Sequence, residues 1–89
     1  MNPEKSLRTP KVWVYVVGVT PNGAAIRAFR RMRGMSLRRL AHLIDRDPGY
    51  LSHVERDRQG AGRETLERIA EELGVPMEAI TREKPRDQD

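Results

Sequence analysis

The 89-residue sequence predicts an all-α fold of five helices preceded by one extra β-strand. Three observations predict it. Residues 35–57, MSLRRLAHLIDRDPGYLSHVERD, read as two short helices joined by a tight turn. Leu66, Ile69, Ala70 and Leu73 form a clean apolar stripe at helical spacing. Residues 11–20, KVWVYVVGVT, are dominated by Val, Trp and Tyr, which is strand composition.

In chain order, residues 1–10 are polar with two prolines and are expected to be a disordered tail. In the strand at 11–20, Val12, Val14 and Val16 share one face, and Trp13, Tyr15 and Val17 the other. Both faces are apolar, and nothing else in the chain reads as a strand. Its partner is therefore expected outside the chain, most simply the same strand of a second copy across a two-fold axis. A strand added to another protein's sheet, or a segment lying on the helices, are the other readings. Asn22 caps the first helix, Ile26 and Phe29 define its inward face with Ala25 and Met32 or Arg33, and Gly34 ends it as a left-handed cap.

Ser36 is a good cap for the second helix, on which Leu37, Leu40, Ala41 and Ile44 recur at helical spacing. Asp45-Arg46 breaks the pattern. Asp47 caps a third helix with Pro48 in the first position, where no N–H is needed, and Leu51 and Val54 give it one inward face. The glycine-rich RQGAG at 58–62 is a loop. The fourth helix spans 63–73, with Glu64, Glu67, Glu71 and Glu72 on its solvent side and Gly74 as its C-cap. Pro76 is expected to open a short fifth helix to about Ile80, with Val75, Met77 and Ile80 closing the core. Residues 81–89, TREKPRDQD, are expected to be a charged tail with no reason to fold.

This length allows one small domain. Cysteine is absent, which excludes disulfides and thiolate metal sites, and two histidines are too few for an unaided structural zinc site. No metal and no cofactor is expected. The net charge of +4 and pI near 10.1 favour an acidic partner, most often nucleic acid. Fourteen of the 17 basic residues are arginine, which suits phosphate and guanine recognition and equally suits a GC-rich genome. The basic excess lies on residues 22–63, with ten arginines against four acids, whereas residues 64–89 carry four basic and eight acidic residues. No apolar run reaches the roughly 18 residues that cross a bilayer, and residues 12–19 do not resemble a signal peptide. A cytoplasmic, nucleoid-associated protein without membrane contact is expected. Enzyme readings do poorly: there is no nucleophile–base arrangement and no phosphate loop, and His42 reads as a surface residue.

Two helices joined by a turn of a few residues make a helix-turn-helix unit, whose second helix enters the major groove of DNA. IRAFRRMRGMSLRRLA, DPGYLSHVERDRQG and ETLERIAEELGVPMEAI, in that order, resemble the Cro/C1-type helix-turn-helix domain, also called the xenobiotic-response-element family, which has the lambda-repressor-like fold. The resemblance covers about residues 22–80. Leu40-Ala41 matches the Leu-Ala pair of the first motif helix. Leu51, Val54 and Glu55 match the end of the second. Leu66, Ile69, Ala70, Leu73, Gly74 and Val75 match the signature of the fourth helix. The departures are Leu37 where the family often has Gln, Asp45 and Asp57 where it has glycine, and Pro48-Gly49 where it often has polar readers.

The resemblance implies that the first motif helix crosses the DNA backbone and that Pro48, Gly49, Tyr50 and His53 face the groove. Pro48 and Gly49 can make only apolar contact there, for example with a thymine methyl. Arg46, just before this helix, suits either bidentate guanine recognition or a phosphate contact. Phosphate contacts are expected from Ser36 and the N–H groups after it, from Arg38 and Arg39 beside it, and from Arg56, Arg58 and Arg63 around the RQGAG loop. The resemblance also implies a structural ion pair between Glu55 and Arg30. The expected function is sequence-specific binding of double-stranded DNA by a homodimer joined through Val12, Trp13, Val14, Tyr15, Val16 and Val17, as a transcriptional regulator with no evident small-molecule ligand. The rivals are a protein-interaction module, such as an antitoxin or anchoring adaptor, and a DNA-bending accessory factor for recombination or plasmid transfer.

Overall fold

A computed structural model describes residues 19–83. Strand β1 (Val19–Pro21) leads into helices α1 (Gly23–Met32), α2 (Leu37–Leu43), α3 (Pro48–Glu55) and α4 (Arg63–Leu73). A 3-10 turn (Met77–Ala79) and strand β2 (Thr81–Glu83) follow.

The side chains that open the first three helices are those read from the sequence. Asn22 Oδ1 accepts from Ala25 N at 3.2 Å, Ser36 Oγ from Arg39 N at 3.1 Å, and Asp47 Oδ2 from Gly49 N at 2.8 Å. Each satisfies an amide that the helix itself leaves without a partner. The four helix ends share one device. The N–H of the pivot residue donates to a carbonyl three back, and the next N–H donates to one five back: Gly34 and Met35, Asp45 and Arg46, Asp57 and Arg58, Gly74 and Val75. The pivot is left-handed in every case. Two pivots are glycine, Gly34 and Gly74 with φ of 68° and 70°, and two are aspartate, Asp45 and Asp57, both with φ of 59°. Asp45 and Asp57, which stand where the family pattern has glycine, thus adopt the same left-handed conformation as Gly34 and Gly74.

The apolar stripes meet in one core of Ile26, Leu40, Ala41, Ile44, Leu51, Val54, Leu66, Ile69, Ala70, Leu73 and Ile80, all essentially removed from water. Phe29, Leu37, Val75 and Met77 cover its rim. Met32 is not among the inward residues of α1, being 77% exposed. Helix α3 lies against both α1 and α2. The approach to α1 is so close that a Cβ on Gly23 would overlap the carbonyl oxygens of Val54 and Glu55.

The C-terminal segment departs from expectation. The fifth helix is reduced to the three-residue 3-10 turn, because the chain after Ile80 is drawn out into an extended pair. Thr81–Glu83, expected to begin a tail without structure, forms β2 antiparallel to β1, with Val19 opposite Glu83, Thr20 opposite Arg82 and Pro21 opposite Thr81. Asn22 N donates to Ile80 O at 2.8 Å, continuing the ladder past Pro21, which has no N–H to give. The partner of Val19–Pro21 is therefore within the chain rather than outside it. The proposed dimerisation residues Val12, Trp13, Val14, Tyr15, Val16 and Val17, and the tails expected at 1–10 and 84–89, lie outside the described residues.

Candidate nucleic-acid interface

Helix α3 turns Leu51 and Val54 into the core and buries Glu55 at its end, while its other positions remain exposed or half-buried. Gly49 and His53 are exposed, and Pro48, Tyr50 and Ser52 are half-buried. The Tyr50 ring packs against the core rim, and its hydroxyl lies 3.5 Å from Gly60 O, at the outer limit of a hydrogen bond. Pro48, Gly49, Tyr50 and His53 thus share one surface, with the loop after α3 folded beside it.

Arg46 is placed differently from a free guanine reader. Its Nη2 donates to Thr65 Oγ1 at 3.1 Å, and its Nη1 approaches Asp45 O at 3.4 Å. Both terminal nitrogens that a bidentate contact to a base would use are turned back onto the turn and the start of α4. No local sequence signal marks this contact, because Thr65 is 19 residues away in the chain.

Beneath α3 lies the Arg30–Glu55 pair. Arg30 Nε donates to Glu55 Oε2 at 2.7 Å and Nη2 to Oε1 at 2.9 Å, a two-pronged contact, while Nη1 donates to Met35 O at 2.9 Å. Both side chains are about nine-tenths or more buried. The hydrogen bond to Glu55, aided by its charge, pushes the Arg30 guanidinium further up than burial pulls it down. The pair joins the end of α3 to the last turn of α1, and through Met35 to the segment that leads into α2.

The expected phosphate-contacting residues Ser36, Arg38, Arg39, Arg56, Arg58 and Arg63 are all exposed. The Ser36 hydroxyl is engaged in capping α2. Arg63 lies 3.3 Å from Glu67 one turn along α4, an exposed pair of little energetic consequence. Two further arginines join this group in space. Arg27, one turn before Arg30 on α1, lines a small pocket of about 150 Å³ with Leu37, Ser52 and Arg56, above the buried ion pair. Its helical offset from Arg30 was available in the sequence as a signal. Arg82, on β2, lies beside the loop after α3, a position with no local sequence signal at all. Among the described residues no group of acids and histidines could hold a metal ion, and no helix is long and apolar enough to cross a membrane.

A helix-turn-helix family model matches residues 26–80, which takes in all of α2, α3 and α4 and most of α1. The chain belongs to the Cro/C1-type helix-turn-helix family. Both strands of the sheet fall outside the matched span. Within the family, the chain is 36% identical over 62 residues to an immunity repressor protein of Bacillus phage phi105, a match covering 70% of this chain and 43% of that protein. The chain therefore spans less than half the length of that repressor. Among solved structures, the clp gene regulator ClgR of Corynebacterium glutamicum is similar, at 41% identity with a TM-score of 0.61 over 63% of this chain and 60% of that one. SinR, a master regulator for biofilm formation solved in complex with DNA, is similar at 31% identity with a TM-score of 0.61, over 64% of this chain and 95% of that one.

Proposed function

We propose that this protein binds double-stranded DNA and regulates transcription, with α3 in the major groove. The observation that carries the reading is the α2–turn–α3 unit: α3 is fastened to α1 by the buried Arg30–Glu55 pair and presents Pro48, Gly49, Tyr50 and His53 on its outer surface. The repressor and regulators to which the chain is similar support it, as does the exposed arginine set around that surface. Phosphates are contacted by Ser36 with the backbone after it, and by Arg38, Arg39, Arg56, Arg58 and Arg63. Arg46, held by Thr65, serves as a phosphate contact flanking α3. Direct readout of sequence then falls to His53 and Tyr50, with Pro48 and Gly49 in apolar contact with bases.

The protein acts as a homodimer that places two α3 helices about 34 Å apart on successive major grooves. Support for the dimer is the strand composition of Val12, Trp13, Val14, Tyr15, Val16 and Val17; the β1–β2 pair accounts only for Val19–Pro21.

Selection from a randomised duplex library tests the reading. His53→Ala should alter the preferred sequence, whereas Arg58→Ala should weaken all sequences alike. An unenriched library would remove sequence-specific binding from the account. A monomer by size measurement, both free and on DNA, would remove the dimer.

A further inference from the structure

The β1–β2 pair lies outside the residues that match the family, yet it carries an arginine to the edge of the candidate interface. Arg82 is the central residue of β2, fixed opposite Thr20, whose hydroxyl donates to Arg82 O at 3.2 Å. Its Nη2 donates to Asn22 Oδ1 at 3.1 Å and lies 3.6 Å from Asp57 Oδ2. Both contacts use the same nitrogen; among the described residues Nη1 and Nε donate to nothing. The side chain is half exposed and lines an open cleft of about 380 Å³ with Pro21, Asp57, Arg58, Gln59 and Gly60. The far wall of this cleft is the loop that α3 runs into. Arg58 N donates to His53 O at 2.9 Å, and Gly60 O lies beside the Tyr50 hydroxyl, so the loop follows the surface carrying Tyr50 and His53. The N–H groups of Gln59 and Gly60 donate to no described residue.

The chemistry of the cleft is that of an anion site with one internal counter-charge. Two arginines, Arg58 and Arg82, line it with a single carboxylate, and that carboxylate is engaged: Asp57 Oδ1 accepts from Gly23 N at 3.0 Å and Oδ2 lies 3.6 Å from Arg82 Nη2. The unengaged Nε and Nη1 of Arg82 can each donate singly to a phosphodiester oxygen.

We propose that this cleft holds a backbone phosphate of the bound DNA between Arg82 and Arg58, so that the strand pair extends the footprint beyond the helix-turn-helix. The inference rests on α3 entering the major groove, which brings the loop after α3 alongside a phosphate strand. Asp57 and Asn22 act here as positioning residues that aim Arg82.

The test uses the full chain and the duplex that the unaltered protein selects, with affinity measured across a series of salt concentrations. Arg82→Ala is expected to weaken binding about tenfold and to lower the slope of log affinity against log salt by about one, without changing sequence preference. Arg82→Lys keeps the charge and is expected to keep the slope. Equal melting temperatures of the two variants establish that both are folded; if Arg82→Ala melts lower, the comparison is made at a temperature where both are native. An unchanged slope in Arg82→Ala overturns the inference, even if affinity falls, because that pattern belongs to a residue that only supports the loop. So does a slope lowered equally by Arg82→Lys. A wild-type chain that binds no duplex fails at an earlier step, and overturns the proposed function together with this inference.

Discussion

At the scale of single residues, the two left-handed aspartates are the most informative positions. An L-residue in this conformation crowds its Cβ against the backbone, and aspartate tolerates it better than most because its short carboxylate can bond locally. Asp45 and Asp57 adopt the same φ, but only one has other work. The Asp45 side chain bonds to no described residue, whereas Asp57 accepts from Gly23 N, an orphan amide in the first turn of α1. Glycine at these positions should therefore have different consequences. Asp45→Gly should raise stability by about 0.5–1 kcal/mol by relieving the left-handed conformation. Asp57→Gly gains the same relief but forfeits the hydrogen bond, and should come out neutral or destabilising by about 1 kcal/mol. Urea denaturation of both variants reads the contrast, and equal effects would mean that the Asp57–Gly23 bond contributes nothing. Gly23 itself is required for close approach rather than for its φ. Gly23→Ala must push α1 away from the end of α3, at a cost of about 1–3 kcal/mol.

At the scale of elements, the placement of α3 depends on the buried ion pair. Two prongs to Glu55 and a third bond to Met35 O leave no donor nitrogen of Arg30 unused for fastening α1 to α3 and the α2 approach. Loss of one partner leaves a buried charge without compensation. Arg30→Ala or Glu55→Ala should each cost about 3–5 kcal/mol. The double replacement Arg30→Met with Glu55→Leu should cost much less than the sum, since it removes both charges and retains apolar volume. Thermal melting of the single and double variants measures this coupling. Additive losses would indicate that the two residues act independently. At the same scale the fifth helix illustrates competition between local and distant pairing. Residues 76–80 have the start signal of a helix in Pro76, but the β1–β2 ladder claims the next three residues and leaves room for a 3-10 turn alone.

At the scale of the molecule, the ends of the described chain are stitched together. The β1–β2 pair, the Asn22–Ile80 bond and the burial of Ile80 bring the start of the domain to its finish. Because β1 begins at Val19, removing residues 1–18 should leave the helical domain folded with little change in melting temperature. Removing residues 1–21 takes away β1 as well, and should lower it by opening the contact with β2. The first truncation should also abolish the proposed dimer, read by sedimentation or light scattering. A dimer that survives would place the self-association surface on the helices.

Much of the helical scaffold was legible in the sequence because its determinants are local. Caps act over three residues, apolar stripes recur every three or four, and Gly34 and Gly74 mark helix ends whatever surrounds them. The basic bias of residues 22–63 was likewise a matter of counting. What only the tertiary structure decided are contacts between residues distant in the chain: Asp57 with Gly23, Arg46 with Thr65, and β2 with β1. Of Thr81, Arg82 and Glu83, only Thr81 carries a strand preference of its own. They become a strand because Ile80 is anchored in the core and delivers them beside Val19–Pro21, where unpaired backbone groups await partners. The helix-turn-helix unit is written in the sequence by periodicity. The surroundings of its outer surface, with Arg46 turned onto α4 and Arg82 brought in from the far end of the chain, exist only once the core has closed.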